Sequence, residues 1–288
     1  MQSTSWLGNR PVVTFDLTGS CPLRCDHCYF YADPPRHADL SEADFLAETA
    51  RLRDAHGFRS AFWIGGEPLL RLGLLRRAMA LFPRNAISTS GMVPIPTDLG
   101  CGLLVSLDGP ATLHELLRGQ GTFDRVMANI ATLPRGTFAL STTLTTRTLD
   151  AIEALPELLE ETRALGVLVG FAVGAAGDPL CLRGDDRDRA VDRLLVLSER
   201  YPGVLLNTTA GIESFRPANA ADVAARCIYG DVAVAFDVRL RVKAPCTFGE
   251  IAACDACGCA VVAEHRALRL GNAASEDLLR ALFPRAEA

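Results

Sequence analysis

The sequence predicts an α/β fold: an open or partial barrel of six βα units, followed by a small C-terminal appendage. Apolar runs rich in β-formers alternate with helical segments over roughly the first 200 residues, which implies βαβ units and a parallel sheet. After about residue 215 the alternation gives way to a hairpin-like pattern flanked by cysteines. With 288 residues, 49% of them hydrophobic, the chain can bury one large core.

Each predicted strand is a short apolar run, and the six runs are residues 11–17, 60–66, 85–91, 102–109, 137–145 and 167–174. The predicted helices are residues 41–57, 69–82, 122–133, 149–166 and 185–201. The first has the clearest ends, because Ser41 and Asp44 suit a capped start and Gly57 closes it. Segment 231–246 is predicted to form two short strands around a turn at Asp237. We therefore expect a main domain at 1–215 and a smaller one at 216–288.

Charge and hydropathy argue against two classes of protein. The net charge is −5 without a block of basic residues, which disfavours a nucleic-acid-binding surface. The start, MQSTSWLGNRPVV, lacks the pattern of a signal peptide, and no run of about 18 apolar residues predicts a membrane span. We expect a cytoplasmic protein with no nucleic-acid or membrane partner.

Ten cysteines are too many for a reducing compartment unless some of them bind metal. Cys101 and Cys181 stand alone and are expected to be buried apolar residues. The others form two groups. The front group is Cys21, Cys25 and Cys28, and the C-terminal group is Cys227, Cys246, Cys254, Cys257 and Cys259.

The front group, CPLRCDHC, places three thiols in eight residues directly after the first strand. Three thiolates can hold three irons of a 4Fe-4S cluster and leave one iron open. Zinc, with His27 as a fourth ligand, is the alternative. Gly65 and Gly66 follow strand two, and Ser106 and Asp108 end strand four. Carboxyl ends of parallel strands lie on one edge, so these motifs are expected to meet.

These motifs together resemble the radical S-adenosylmethionine (radical SAM) superfamily. The resemblance rests on the Cys-x3-Cys-x2-Cys spacing followed by Tyr29, on GGEP at Gly65–Pro68, and on the stretch SLDGPATLHELLRGQGTFDRV at 106–126. It covers roughly residues 11–175 and implies a partial (β/α)6 TIM-like barrel. It also implies a SAM-binding 4Fe-4S cluster, an electron donor such as flavodoxin or ferredoxin, and a 5'-deoxyadenosyl radical that removes hydrogen from the substrate.

The resemblance also assigns expected contacts with SAM. Gly65 and Gly66 would let the backbone approach the ligand, and Glu67 would accept from its ammonium group. Ser106 is expected to contact SAM, and Arg118 suits its carboxylate because guanidinium groups bind carboxylates through paired donors. Three further residues lie at strand ends: Thr89, Asp108 and Thr143. Each either faces the cofactor or stabilises the local strand or turn.

The C-terminal cysteines resemble the twitch domain, the short form of the SPASM domain, which holds an auxiliary 4Fe-4S cluster. The resemblance implies Cys227, Cys246, Cys254 and Cys257 as ligands. Cys259 departs from the pattern: it replaces Cys257 as a ligand, or it is a free catalytic thiol that donates hydrogen to a substrate radical. Four cysteines also suit structural zinc. A fully ligated cluster could instead take an electron from the radical, which gives dehydrogenation rather than epimerisation.

The expected substrate is a small molecule such as a sugar, an aminoglycoside or another secondary metabolite. Peptide maturation is the first alternative, disfavoured because only twenty residues precede Cys21. An enzyme that activates glycyl radicals is disfavoured by the C-terminal position of the extra cysteines. A non-catalytic iron–sulfur or zinc scaffold would not need GGEP.

Overall fold

The protein is built on one open, mostly parallel sheet, seen in a computed structural model that describes residues 12–32 and 38–285. Pro11, predicted to begin the first strand, lies outside the described residues. The strand order is β6-β5-β4-β3-β2-β1-β7-β8. Every pair is parallel except β7 with β8. Because β6 and β8 are not paired with each other, the barrel is partial, as the sequence predicts.

The strands are β1 (Val12–Asp16), β2 (Ser60–Ile64), β3 (Arg84–Thr89), β4 (Gly102–Ser106), β5 (Ala139–Leu144), β6 (Val167–Phe171), β7 (Ala233–Phe236) and β8 (Val242–Lys243). The helices are α1 (Tyr29–Ala32), α2 (Glu42–His56), α3 (Leu72–Met79), α4 (Ala111–Arg118), α5 (Thr122–Ile130), α6 (Ala151–Thr162), α7 (Gly184–Arg200), α8 (Thr209–Glu213), α9 (Ala220–Ala225), α10 (Ile228–Asp231), α11 (Ala260–Arg269) and α12 (Ala273–Ala281). All six predicted βα strands are present.

The helices follow the sequence signals, with two differences. The Ser41 side chain accepts from Asp44 N at the start of α2, and Gly57 ends it with a positive φ of 67°. The predicted helix 69–82 is a 3₁₀ turn, Pro68–Arg71, followed by the shorter α3. The second difference is that α1, α4 and the C-terminal helices α8 to α12 were not predicted.

The two faces of the sheet bury different sets of residues, as period-2 alternation requires. On β1, Val13 and Phe15 belong to the larger core, which packs against the barrel helices. Val12 belongs to a second cluster with inward-facing Leu104 and Leu168. The C-terminal helices supply the rest of this cluster through Val262, Leu279 and Leu282. The C-terminal segment therefore covers part of the barrel interior.

The predicted hairpin is present, and it extends the barrel sheet. β7 pairs in parallel with β1, from Val12 opposite Ala233 to Phe15 opposite Phe236, and β8 turns back along it. The hairpin is thus continuous with the main sheet, although it is not a seventh βα unit. The division at residue 215 stays a prediction. No helix in the described ranges is long and apolar enough to cross a membrane.

Candidate active site

A cavity of about 300 Å³ occupies the inner face of the sheet, between the front cysteine loop and the C-terminal segment. It is lined by all three front thiols, by the strand ends and by one C-terminal thiol. Its polar and sulfur-bearing residues include Cys21, Cys25, Cys28, Ser88, Ser106, Arg118, Ser141, Thr143, Tyr229 and Cys259. The carboxyl ends of β1 to β6 therefore converge on one site.

The front cysteine loop is held by its own backbone. Cys28 N donates to Cys25 O at 3.1 Å, and Leu23 N donates to Cys21 Sγ at 3.4 Å. Burial is the main cause that raises the pKa of the Cys25 thiol to about 11; Arg118 opposes it, and Cys28 and Cys21 add to it. The three thiols are thus close enough to influence one another. Among the described residues, no three His, Cys, Asp or Glu side chains converge as the ligands of one metal ion do.

The glycines of GGEP lie against the backbone that leads into the front cysteine loop. A Cβ on Gly66 would lie 2.2 Å from Ser20 O, and one on Gly65, whose φ is 124°, would lie 2.6 Å from Thr18 O. Gly66 N donates to Thr18 O at 2.8 Å. The missing side chains let this turn lie directly against the backbone that leads into Cys21. Both glycines also line the cavity, and their expected approach to SAM stays a prediction.

Glu67 is fully buried and does not line the cavity. Its Oε1 accepts from Leu69 N at 3.0 Å and Thr89 Oγ1 at 2.9 Å, and its Oε2 accepts from the backbone and hydroxyl of Ser90. These four bonds use both oxygens. Glu67 therefore ties the end of β2 to the end of β3. Its contact with the ammonium group of SAM stays a prediction.

A buried ion pair lies behind the front cysteines. Arg118 Nε donates to Asp108 Oδ2 at 2.5 Å, and Arg118 Nη1 lies 4.0 Å from Cys25 Sγ. Burial alone would raise the pKa of Asp108, but Arg118 and His27 hold it at about 2. Asp108 also accepts from Thr143 N at 2.9 Å. Asp108 is therefore ionised and fixes Arg118, whose other nitrogens face the thiols and the cavity.

His27 is directed toward this ion pair. Its Nε2 lies 3.7 Å from Asp108 Oδ2 and 3.5 Å from Arg118 Nη2, and its buried Nδ1 has no partner among the described residues. Burial lowers the pKa of His27 to about 4, so it is neutral at pH 7. His27 Nε2 faces the ion pair.

Hydroxyl groups at the strand ends also line the cavity. Ser106 and Thr143 line the cavity as expected, and Thr89 lines it while its hydroxyl donates to Glu67. Ser88 and Ser141 also line it and were missed from the sequence. Ser141 is the register partner of Ser106 and lies two residues before Thr143, so its inward position could have been found. Ser88 is adjacent to Thr89, and strand alternation gave no such signal for it.

The five C-terminal thiols gather beside the cavity. Cys227, Cys246 and Cys257 each lie within electrostatic reach of others in the group, and burial raises the pKa of Cys246 to about 11 and of Cys257 to about 12. Cys254 and Cys257 line a separate hollow of about 200 Å³. Cys259 instead lines the main cavity. The all-sulfur donor set fits an iron–sulfur cluster or zinc.

The comparison with protein families identifies one superfamily. The sequence profile described as Radical SAM superfamily matches residues 16–159, which include the front cysteines, GGEP and Arg118. This stretch is half of the chain.

Two curated relatives are similar in sequence. Pre-heme d1 synthase of Dinoroseobacter shibae is 31% identical over 202 residues, which are 64% of this chain and 48% of that protein. AdoMet-dependent heme synthase of Methanosarcina barkeri is 30% identical over 195 residues, 62% of this chain and 53% of that protein. The aligned part spans about half the length of these relatives.

Two solved structures share the fold. Native anSMEcpe with bound AdoMet has a TM-score of 0.61 at 16% identity and covers 84% of this chain and 76% of its own. Streptococcus suis SuiB bound to S-adenosylmethionine has a TM-score of 0.60 at 14% identity, with coverages of 80% and 58%. At these identities the likeness shows the fold alone.

Proposed function

The chain belongs to the radical SAM superfamily, and from that membership we propose that it cleaves SAM reductively and removes hydrogen from a compact substrate held in the main cavity. The observation that carries this proposal is the cavity itself, since the front thiols and Cys259 line the same enclosed space. Enzymes of this family use a 4Fe-4S cluster and SAM. When bound, these cofactors supply a 5'-deoxyadenosyl radical that abstracts hydrogen from carbon.

The residues proposed to hold the cluster are Cys21, Cys25 and Cys28. Arg118 is proposed to receive the carboxylate of SAM, because Asp108 occupies its Nε, while its Nη1 lies 4.0 Å from Cys25 Sγ and the side chain lines the cavity. Ser106 and Thr143 line the same wall and offer hydroxyl groups to the nucleoside. Glu67 holds the GGEP turn in place behind them.

The lining of the cavity supports a narrower substrate class. Within the described part of the chain, no Asp, Glu or Lys lines the cavity, and Arg118 is its one permanently charged residue. A polycationic aminoglycoside would find no carboxylate partner there. The volume of about 300 Å³ is at the low end for ligand pockets, and SAM must share it. We therefore favour a small neutral or anionic substrate.

Cys259 is proposed as the catalytic thiol. It lines the main cavity, whereas Cys254 and Cys257 line the other hollow, which supports Cys227, Cys246, Cys254 and Cys257 as ligands of an auxiliary 4Fe-4S cluster. A free thiol in the cavity favours epimerisation: S–H gives its hydrogen atom to the substrate carbon, and an electron donor such as flavodoxin or ferredoxin with a solvent proton restores the thiol.

The experiment that tests the proposed function measures 5'-deoxyadenosine. The full chain is reconstituted anaerobically with iron and sulfide, reduced with dithionite and given SAM. We expect 5'-deoxyadenosine from the wild type and from Cys101→Ala, a control whose thiol does not line the cavity. Cys25→Ala should give none. If Cys25→Ala still cleaved SAM, the front cysteines would not hold the SAM-binding cluster.

Peptide modification is the second candidate. Solved structures that share this fold include anSMEcpe with a bound Cp18Cys peptide and SuiB bound to its precursor peptide SuiA. One side chain of a peptide would fit the small cavity. Production of 5'-deoxyadenosine that rises with peptides and not with small metabolites would favour this candidate.

The names of the two relatives suggest a tetrapyrrole as a third substrate. They share about 30% identity with the chain over 202 and 195 residues. The cavity encloses too little space for a macrocycle beside SAM, so this candidate requires the substrate to bind at the cavity mouth. A porphyrin-dependent rise in SAM cleavage would support it.

A further inference from the structure

Arg187 is a buried cation without a carboxylate partner. It lies in the first turn of α7, and only 3% of its surface is exposed. Its neighbours Arg183 and Arg216 pair with Asp255 and Asp188, whereas no carboxylate lies within ion-pair distance of Arg187 in the described ranges. A buried charge is costly unless it is compensated, so this arginine indicates that negative charge belongs nearby.

The guanidinium group of Arg187 binds the turn that carries two of the C-terminal cysteines. Nη1 donates to Ala256 O at 2.8 Å, Nη2 donates to Cys257 O, and Nε donates to Phe215 O at 2.7 Å. The planar fork thus joins α7 to the Cys254–Cys257 turn. The guanidinium carbon also lies 4.8 Å from the centroid of the Phe171 ring, at the end of β6. Three elements are therefore fixed by one side chain.

The same turn is held rigidly on its other side. Phe171 N donates to Gly258 O at 2.9 Å, and a Cβ on Gly258 would lie 2.1 Å from Phe171 O. The cysteine turn is therefore clamped between β6 and α7. Groups that hold metal ligands from behind tune both the affinity and the electronic properties of a metal site.

We propose that Arg187 is a positioning residue for the C-terminal cysteine site, which holds the Cys254–Cys257 turn and compensates the negative charge of an iron–sulfur cluster bound there. The proposal rests on the auxiliary cluster of the proposed function. Through Arg187, the barrel helix α7 contributes directly to the C-terminal site. The proposal predicts two separable effects: the hydrogen bonds of the guanidinium group control how well iron is retained, and its positive charge controls the reduction potential of the cluster.

The test uses the full chain carrying Cys25→Ala, so that iron at the C-terminal site is read alone. Arg187→Met removes both the fork and the charge, and Arg187→Lys keeps the charge. Arg193→Met, an exposed position on the same helix, is the control. Iron and sulfide per chain, iron release to a chelator and the midpoint potential are measured for each protein.

We expect Arg187→Met to release iron about 10-fold faster than the parent and to have a more negative midpoint potential. Arg187→Lys should release iron faster than the parent while keeping the parent's potential. Arg193→Met should match the parent in both. Equal iron release and equal potential in the parent and Arg187→Met would overturn the proposal.

Two further outcomes separate this proposal from the auxiliary cluster itself. If the parent binds no iron, the auxiliary cluster fails, and the proposal that depends on it fails too. If Arg187→Met does not fold, as judged by circular dichroism, Arg187→Lys decides: faster iron release than the parent supports the fork, and equal release contradicts it.

Discussion

At the residue scale, the site depends on close backbone contact more than on polar ligands. The GGEP turn lies against the cysteine loop because Gly65 and Gly66 carry no Cβ. The sequence motifs pointed to these two glycines, but they did not reveal this backbone contact. A glycine that admits a ligand and a glycine that admits another stretch of backbone look the same in sequence.

Substituting Gly66 tests that cause. We expect Gly66→Ala to lower the melting temperature and the iron content at the front site, because its Cβ would lie 2.2 Å from Ser20 O. Gly73→Ala is the matched control: it lies in α3 with nothing within 4 Å of a Cβ, and it should be neutral or stabilising by up to about 1 kcal/mol. Thermal unfolding and iron analysis measure both. Equal behaviour of the two variants would contradict the close contact.

At this scale the sequence predicted which residues lie at the strand ends, but it missed how the polar groups are connected. The spacing of the front cysteines and the hydroxyl positions at strand ends follow from local pattern. That Glu67 accepts four hydrogen bonds from β3 and its own turn, or that Arg187 binds Cys257 O, depends on elements far apart in the chain. No spacing rule contains that information.

At the scale of elements, the hairpin is attached to the barrel through a buried ion pair. Lys243 Nζ on β8 lies 2.8 Å from Asp16 Oδ2 at the end of β1. Burial is the main cause that raises the pKa of Asp16 to about 6, and Lys243 opposes it. The pair lies directly before the front cysteine loop, so it links that loop to the C-terminal cysteines.

Removing one partner of this pair should cost more than removing both. We expect Lys243→Met to destabilise the fold by about 3 kcal/mol, because it leaves the Asp16 carboxyl buried without a cation. Asp16→Asn with Lys243→Met should recover part of that loss. Urea unfolding of the two single variants and the double variant forms the cycle. Additive losses would show that the two side chains do not interact.

Strand prediction succeeded at this scale because buried parallel strands appear as continuous apolar runs. The apolar runs predicted all six βα strands, and the cysteine-flanked segment after residue 215 predicted the C-terminal hairpin. It did not show that β7 pairs with β1, since strand order is a property of the assembled sheet. Helix α4, short and without a side-chain cap, gave no signal at its start.

At the scale of the whole molecule, buried neutral histidines make stability depend on pH. His114 and His265 are fully buried, and burial lowers the pKa of each to about 4. An unfolded histidine titrates near pH 6.5, so the unfolded chain binds more protons between about pH 6.5 and 4. Stability that is present above pH 6.5 is therefore lost as the pH falls toward 4. Asp16, with its raised pKa, acts in the opposite sense over part of this range.

Replacing one buried histidine tests its contribution to the pH dependence of stability. We expect the free energy of unfolding to fall less steeply between pH 7 and pH 5 in His114→Gln than in the wild type, because one proton uptake is removed. His56→Gln, at an exposed position, is the control and should keep the wild-type slope. Urea unfolding at several pH values measures the slopes, and a wild-type slope in His114→Gln would contradict the assignment.

The central claim of this account is that one cavity serves a cluster open to SAM and lies beside a second, fully ligated cluster. Electron paramagnetic resonance of the reduced, reconstituted full chain, recorded with and without SAM, tests it most directly. The account predicts two cluster signals, of which SAM changes one and leaves the other as it was. A spectrum that does not respond to SAM would contradict the claim, because no iron would then be open at the front cysteines.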